Sequence, residues 1–328
     1  MKNYDFIAIG DIVTDAFIKI KEATIEDGAD GGTKICMRFG DKIPYEDVYI
    51  IPAVGNSANA SVSASRLGLK SALVTNLGDD YYGKECLNVL KKEKVGTEFI
   101  KIHKNKKTNY HYVLLFNEER TILIKHEDFK YSLPEIGNPK WIYLSSLGPN
   151  SLSFHSEIEK YLEKHPEIKL AFQPGTYQIK FGTSALAGIY KRANIFTCNK
   201  DEAQRILGVK EDNIKKLLLG IHNLGPKIIA ITDGKRGAYL FSNDKMWFMP
   251  PYPDPKPPIN RTGAGDAFSS TITTAILLGK SIEEALKWGP INSMSVTQQM
   301  GARAGLLFRK KLEEFLAKAP SDYKLRLI

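Results

Sequence analysis

The chain has 328 residues, 43% of them hydrophobic, and carries 46 Lys plus Arg against 37 Asp plus Glu, a formal charge of +9. That is enough to bury one large α/β domain, or a large domain carrying a small one, and it excludes a peptide-sized scaffold and overall disorder. The basic residues are dispersed, with neither a basic tail nor a nucleic-acid motif, so the charge reads as solvated surface without a nucleic-acid partner; no apolar run approaches a membrane span.

The first predicted strand, residues 6–9, is continuously apolar, the pattern of a strand buried on both faces. Gly10 releases the chain into a turn that sets Asp11 and Asp15 near the strand's carboxyl edge, where open α/β sheets take ligands. A turn acceptor and a solvated acid are their plainer roles. Residues 17–52 break the strand–helix rhythm. Gly28, Gly31, Gly32 and Gly40 interrupt them and 48–51 is strand-like after Pro44, so the region reads as a β-rich insertion with Cys36, Met37 and Phe39 in apolar packing. Beyond it, Gly55 and the small residues after it allow close backbone approach, and Asn59 both donates to and accepts from a polyhydroxyl ligand. A plain helix start near Asn56 is the alternative.

Further strands are predicted at 71–75, 110–116, 121–125, 141–144, 169–172, 194–197 and 227–231, with helices at 81–92 and 153–164, a repeat that implies mostly parallel pairing. Lys104 to Lys107 reads as a turn, and Arg120 and Lys125 as surface cations that could assist an anionic substrate. Gln173-Pro174-Gly175 marks a strand end. Asn199 and Glu202 have the spacing of a capping box at a helix start. Thr232, Gly234 and Gly237 suit a tight turn into a returning strand at 238–241, in which Thr232 could contact phosphate and Lys235 or Arg236 could pair with it. The proline-rich 250–258 is a constrained connection, and helices are predicted at 281–288, 291–299 and 310–318. Cys36, Cys86 and Cys198 lie far apart, offer neither a complete disulfide framework nor zinc spacing, and fit a reducing cytoplasm.

Between the prolines and these helices stands Asn260-Arg261-Thr262-Gly263-Ala264-Gly265-Asp266, followed by an apolar and small-residue run. Two glycines and a carboxylate at this point suit a tight turn opening into a helix, where uncommitted N–H groups face an anion and an acid takes a proton from an attacking hydroxyl. An ordinary glycine-rich loop opening a buried helix is the plain alternative.

Thr262 to Asp266, with Gly55/Asn59 and Asn199/Glu202 in the same order along the chain, resembles the PfkB or ribokinase-like carbohydrate and nucleoside kinases. The resemblance implies a ribokinase-like three-layer α/β fold with a predominantly parallel central sheet and a small β lid. Residues 1–16 and 53–328 would form the main domain, and 17–52 the lid, supplemented by strands from 108–126. It implies Mg2+- and ATP-dependent phosphorylation of a primary hydroxyl of a small carbohydrate. A nucleoside kinase is the alternative, with Phe39, Tyr110, Tyr112 and Phe116 as aromatic surfaces for a base, and a noncatalytic sugar-binding protein ranks lower. In that reading Asp266 is the base, Gly263, Ala264 and Gly265 form the anion hole, and Asp11, Asp15, Gly55 and Asn59 bind the acceptor. Asn199, Thr232, Gly234, Gly237, Asn292 and Gly301 bind nucleotide, Glu202 reaches Mg2+ through water, and a second copy pairs through the lid as a homodimer. Two departures stand out. Val54 replaces the first of the family's paired glycines, and Asn260 replaces an Asp, so a monovalent cation such as K+ would meet a neutral amide and a weaker attraction.

Overall fold

The computed structural model of the chain describes residues 3–28, 32–117 and 119–328; Gly31 of the insertion lies outside them. Its first part runs β1 (Phe6–Ile9), β2 (Val13–Ile20), β3 (Thr24–Asp27), β4 (Thr33–Cys36), β5 (Tyr45–Val54), α1 (Asn56–Arg66), β6 (Ser71–Gly78), α2 (Tyr81–Lys92), β7 (Ile100–His103), β8 (Tyr110–Phe116) and β9 (Glu119–Leu123). The middle runs β10 (Trp141–Leu144), α3 (Leu152–Lys164), β11 (Lys169–Phe172), α4 (Thr176–Phe181), α5 (Ala187–Arg192), β12 (Ile195–Asn199), α6 (Lys200–Leu207), α7 (Ile214–His222) and β13 (Ile228–Thr232). The last part is β14 (Ala238–Ser242), β15 (Lys245–Met249), α8 (Ala264–Leu277), α9 (Ile282–Thr297), α10 (Arg309–Ala317) and β16 (Arg326–Leu327).

Because successive side chains of a strand point to opposite faces, an unbroken apolar run feeds two cores at once. Phe6 and Ala8 of β1, with Trp141 and Tyr143 of β10, enter a core built with Phe268, Trp288 and Leu312 of α8, α9 and α10. Ile7, Ile9, Ile142 and Leu144 enter the opposite core with Phe154, Ile189, Leu217 and Ile221 of α3, α5 and α7. Among the described residues, ten strands make the middle layer, in the order β16-β15-β14-β13-β12-β11-β10-β1-β6-β7. Pairing is parallel from β7 through β13 and antiparallel from β13 to β16. The parallel strands all end toward one edge, and the loops leaving that edge carry the polar residues discussed below.

A second sheet, ordered β5-β2-β8-β9, stands over that edge. The expected divisions at 16/17 and 52/53 both fall inside its strands, since β2 begins at Val13 and β5 ends at Val54. Sequence periodicity changes only gradually where a strand leaves the body. The hairpin of β3 and β4 extends from the lid, and Met37 and Phe39 beyond it are exposed rather than packed, Phe39 fully so. One predicted break is absent: 281–288 and 291–299 form the single helix α9, which carries Pro290 inside it. Pro290 removes one helical N–H, but the surrounding burial of Trp288, Ile291 and Met294 outweighs that loss.

Candidate active site

The site starts from one turn. Gly263 caps α8 at φ 82, the left-handed region, and a Cβ there would come within 2.4 Å of Ala302 Cβ, so only glycine lets the turn close against the 301–305 loop. Asn260 holds the turn from both ends: its Oδ1 accepts Thr262 N–H at 2.8 Å, and its Nδ2 donates to the Gln299 carbonyl at 2.5 Å. The N–H groups of Gly265 and Asp266 lie in the first turn of α8, where no intrahelical acceptor exists. Ala264 differs, because its N–H leans toward the Arg261 carbonyl at 3.5 Å.

Asp266 follows in the same turn and faces the ends of α1 and β11. Its Oδ1 accepts Asn56 Nδ2 at 2.9 Å and Gln173 Nε2 at 3.0 Å, and its Oδ2 accepts Asn59 Nδ2 at 2.8 Å. Burial pushes its carboxyl upward, against the three amides and the Arg120 guanidinium. Gly55 lets the start of α1 lie close against the loop after β1: its φ is 103, and a Cβ would lie 2.8 Å from the Asp11 carbonyl oxygen.

Asp266 lines a cavity of about 390 Å³ under the lid, together with Asp11, Asp15, Gly55, Asn59 and His111. Asp11 is buried, and its carboxylate accepts the Tyr131 hydroxyl at 2.9 Å and faces His126 Nδ1 at 2.9 Å. Asp15 Oδ1 lies 3.6 Å from His111 Nδ1. Burial, then the nearby Asp266 charge, pushes the Asp15 carboxyl up to about 7, while burial, then His126, pushes the His111 imidazole down to about 4. Among the described residues, Asp15 Oδ1, Asn59 Oδ1, His111 Nε2 and Thr262 Oγ1 have no hydrogen-bond partner. Buried polar atoms are seldom left so, and four of them around one cavity suit a ligand that offers several hydroxyls.

A second cavity, of about 460 Å³, adjoins the first. Pro251, Tyr252, Pro258, Phe268 and Met294 give it an apolar wall, and Gly234, Lys235 and Gly237 form its other side. Arg120, Asn199, Thr232, Arg261 and Gly265 line both cavities and so mark their junction. Arg120 comes from lid strand β9, so the lid brings a cation to the junction, whereas Lys125 pairs with Glu127 at 2.8 Å and Arg236 with Asp233 at 2.6 Å. Asn199 and Glu202 form the capping box of α6. Glu202 Oε2 accepts Asn199 N–H at 2.9 Å, and burial pushes the carboxyl upward. No group of three or more His, Cys, Asp or Glu that could hold a metal is found among the described residues. A divalent ion here would draw its ligands from phosphate and water, with Glu202 alongside.

Two expected nucleotide contacts are corrected. Asn292 is fully buried between helices, where its Nδ2 donates to Thr271 Oγ1 at 2.8 Å and its Oδ1 accepts Leu307 N–H at 2.8 Å. Gly301 sits at φ 80 against Ile51 of the lid, not in the second cavity. Ser293, Met294 and Thr297, which share α9 with Asn292, line that cavity instead. None of Phe39, Tyr110, Tyr112 and Phe116 lines either cavity, and Tyr110 packs its ring 4.7 Å from that of Tyr82. The rings under the lid are His111, His126 and Tyr177, with Ile122 and Ile124 beside them. Sequence reading left out Asn56, His111, His126 and Tyr131. His126 and Tyr131 lie in an irregular stretch with no period to single them out.

Comparison with known proteins identifies the family and the fold. A family model described as pfkB family carbohydrate kinase matches residues 52–308. A ribokinase of Bacillus subtilis (strain 168) is 28% identical over 272 residues, covering 80% of this chain and 87% of its own length. Among solved structures, Arabidopsis thaliana ribokinase complexed with ribose and ATP has a TM-score of 0.79 at 20% identity, covering 96% of this chain and 99% of that one. A nucleoside kinase of Methanocaldococcus jannaschii, an archaeal member of the ribokinase family, has a TM-score of 0.76 at 17% identity, covering 97% and 100%. These structural likenesses show a shared fold.

Proposed function

The chain belongs to the pfkB family of carbohydrate kinases, and from that premise we propose that it transfers the terminal phosphoryl group of ATP to a primary hydroxyl of a small carbohydrate. The observation that carries this reading is the meeting of two cavities at Arg120, Asn199, Thr232, Arg261 and Gly265, with Asp266 on the acceptor side and open first-turn N–H groups beside it. Phosphoryl transfer asks little covalent help of a protein; it needs an in-line alcohol and compensation of developing negative charge. Asp266 orients the hydroxyl and takes its proton, while the N–H groups of Gly263 and Gly265, Arg261 and Arg120 face the charge that develops on the phosphoryl oxygens. Asp11, Asp15 and Asn59 hold the other hydroxyls. Bound with the phosphates, Mg2+ would supply charge neutralisation and alignment, and Glu202 would meet it through water.

A second reading, a nucleoside acceptor, draws support from the wall of His111, His126 and Tyr177: the two histidine rings stand 5.6 Å apart, and His126 stands 5.4 Å from Tyr177. The test is a Mg2+–ATP assay against sugars and nucleosides with identification of the phosphorylated product, run with sodium and with potassium. Asp266→Asn is expected to lower kcat by roughly 10²–10⁴-fold with ATP binding retained. Turnover unchanged in that variant rejects the assignment of the base, and ATP binding without transfer to any acceptor favours a noncatalytic sugar-binding protein.

A further inference from the structure

Three side-chain amides converge on Asp266, but they divide unequally between its oxygens. Asn56 and Gln173 both donate to Oδ1, and Asn59 alone donates to Oδ2. A carboxylate oxygen offers two lone-pair directions, so Oδ1 is filled and Oδ2 keeps one open. Gln173 is not free to turn away. Its own Oε1 accepts the hydroxyl of Tyr143, and Tyr143 on β10 is 1% exposed, packed in the central core. With its oxygen held from behind, the Gln173 amide has its NH2 directed at Asp266.

Resting on the kinase reading above, we infer that Tyr143 and Gln173 are positioning residues that turn the Asp266 carboxylate so that Oδ2 is the oxygen receiving the acceptor's proton. As that proton moves to Oδ2, the hydroxyl oxygen's lone pair forms the bond to the terminal phosphorus. The bond from that phosphorus to the bridging oxygen breaks, its electron pair leaves with ADP, and Asp266 later returns the proton to solvent. The amides also favour the ionised form in a place where burial opposes it. Other groups face the same carboxylate: Arg120 from the lid favours its charge, while Asp15 from β2 and Glu202 from α6 oppose it, and Asp11 and Arg261 line the same cavity. Loss of the Gln173 donor therefore removes one of four favourable influences, and loss of the Tyr143 hydroxyl leaves that donor free to swing.

The test uses the full chain labelled with 13Cγ-aspartate, with the Asp266 carboxyl resonance assigned by its absence from Asp266→Asn. Its titration is followed in the wild type, Gln173→Leu and Tyr143→Phe, alongside transfer from Mg2+–ATP to D-ribose, D-fructose and adenosine. The expected result is an upward move of the Asp266 midpoint by about one pH unit in Gln173→Leu, since one charge-assisted hydrogen bond is lost, and a smaller upward move in Tyr143→Phe. The acid limb of the kcat profile should move with it, while KM for ATP stays within about twofold. Midpoints within about 0.3 unit of the wild type in folded variants overturn the inference. Should Gln173→Leu fail to fold, Tyr143→Phe, which loses only a hydroxyl, decides alone. Displaced midpoints in a chain that also phosphorylates none of the sugars and nucleosides of the assay above support the positioning of Asp266 and sink the kinase reading; normal transfer with unmoved midpoints sinks the positioning alone.

Discussion

Asp15 and His111 form a buried pair whose protons move in opposite senses on folding. The Asp15 carboxyl, raised to about 7 in the folded chain, binds a proton that the unfolded chain has already released, so its contribution to stability is lost as pH rises from the ordinary carboxylate range to about 7. The His111 imidazole, lowered to about 4, lacks a proton that the unfolded chain binds, so its contribution is lost as pH falls from the ordinary imidazole range toward 4. Over the shared window the two slopes offset. Asp15→Asn removes one of them. Its stability relative to the wild type is therefore expected to rise from pH 5 to pH 7 by an amount on the order of 2 kcal/mol, checked by urea unfolding across that range; parallel profiles would refute it. Nothing in the sequence foretold this, because Asp15 and His111 are 96 positions apart and meet only through the register of β2 on β8, where they are direct partners.

The N-terminal turn of α8 belongs to a different scale, since its geometry depends on backbone more than on any side chain. Gly263→Ala forces a Cβ into Ala302 at a left-handed φ. A loss of about 1–3 kcal/mol is expected from the backbone strain alone, with turnover falling further as the first-turn N–H groups shift; urea midpoints and kcat, measured together, check it. At this scale local chemistry was legible. The glycines around Ala264 announced the turn, and Asn199 with Glu202 announced a capping box that forms with both of its hydrogen bonds. The helix α2 occupies Tyr81–Lys92, the predicted span, because Asp80 caps it by accepting Gly83 N–H at 2.9 Å. Helix α9 was read as two pieces because Gly289-Pro290 is a breaker in isolation, and packing overrode it.

The lid sets the behaviour of the whole molecule. Direct cross-strand partners share a face of a sheet, so Ile50, Ala16, Tyr112 and Leu123 form one outward row, while Asp15 and His111 point inward. Ile50 is 50% exposed, Tyr112 48% and Leu123 51%, so this row presents apolar side chains to solvent. A second copy of the chain, laid lid to lid, would cover it. Sedimentation equilibrium is expected to show a dimer, and Tyr112→Lys with Ile50→Lys a monomer; a wild-type monomer at micromolar concentration would refute the pairing. Because Arg120 reaches the junction from the same sheet, dissociation is also expected to weaken ATP binding.

Period, composition and the glycine turns were enough to settle that this chain makes a mostly parallel α/β sheet with a β-rich insertion, and that Asp266 opens a helix beside N–H groups. Those are local properties: strand burial, capping and turn conformation depend on residues a few positions apart. Which side chains surround Asp266 was decided only in three dimensions. Asn56 and Asn59 come from α1, Gln173 from the end of β11, Arg120 from the lid, and they meet because parallel strands end at a common edge. The packing of α9 on α8 turned Asn292 inward to tie the two helices together. Its amide suits a ligand as well as it suits a neighbour, and the choice rests on which group the packing brings within reach.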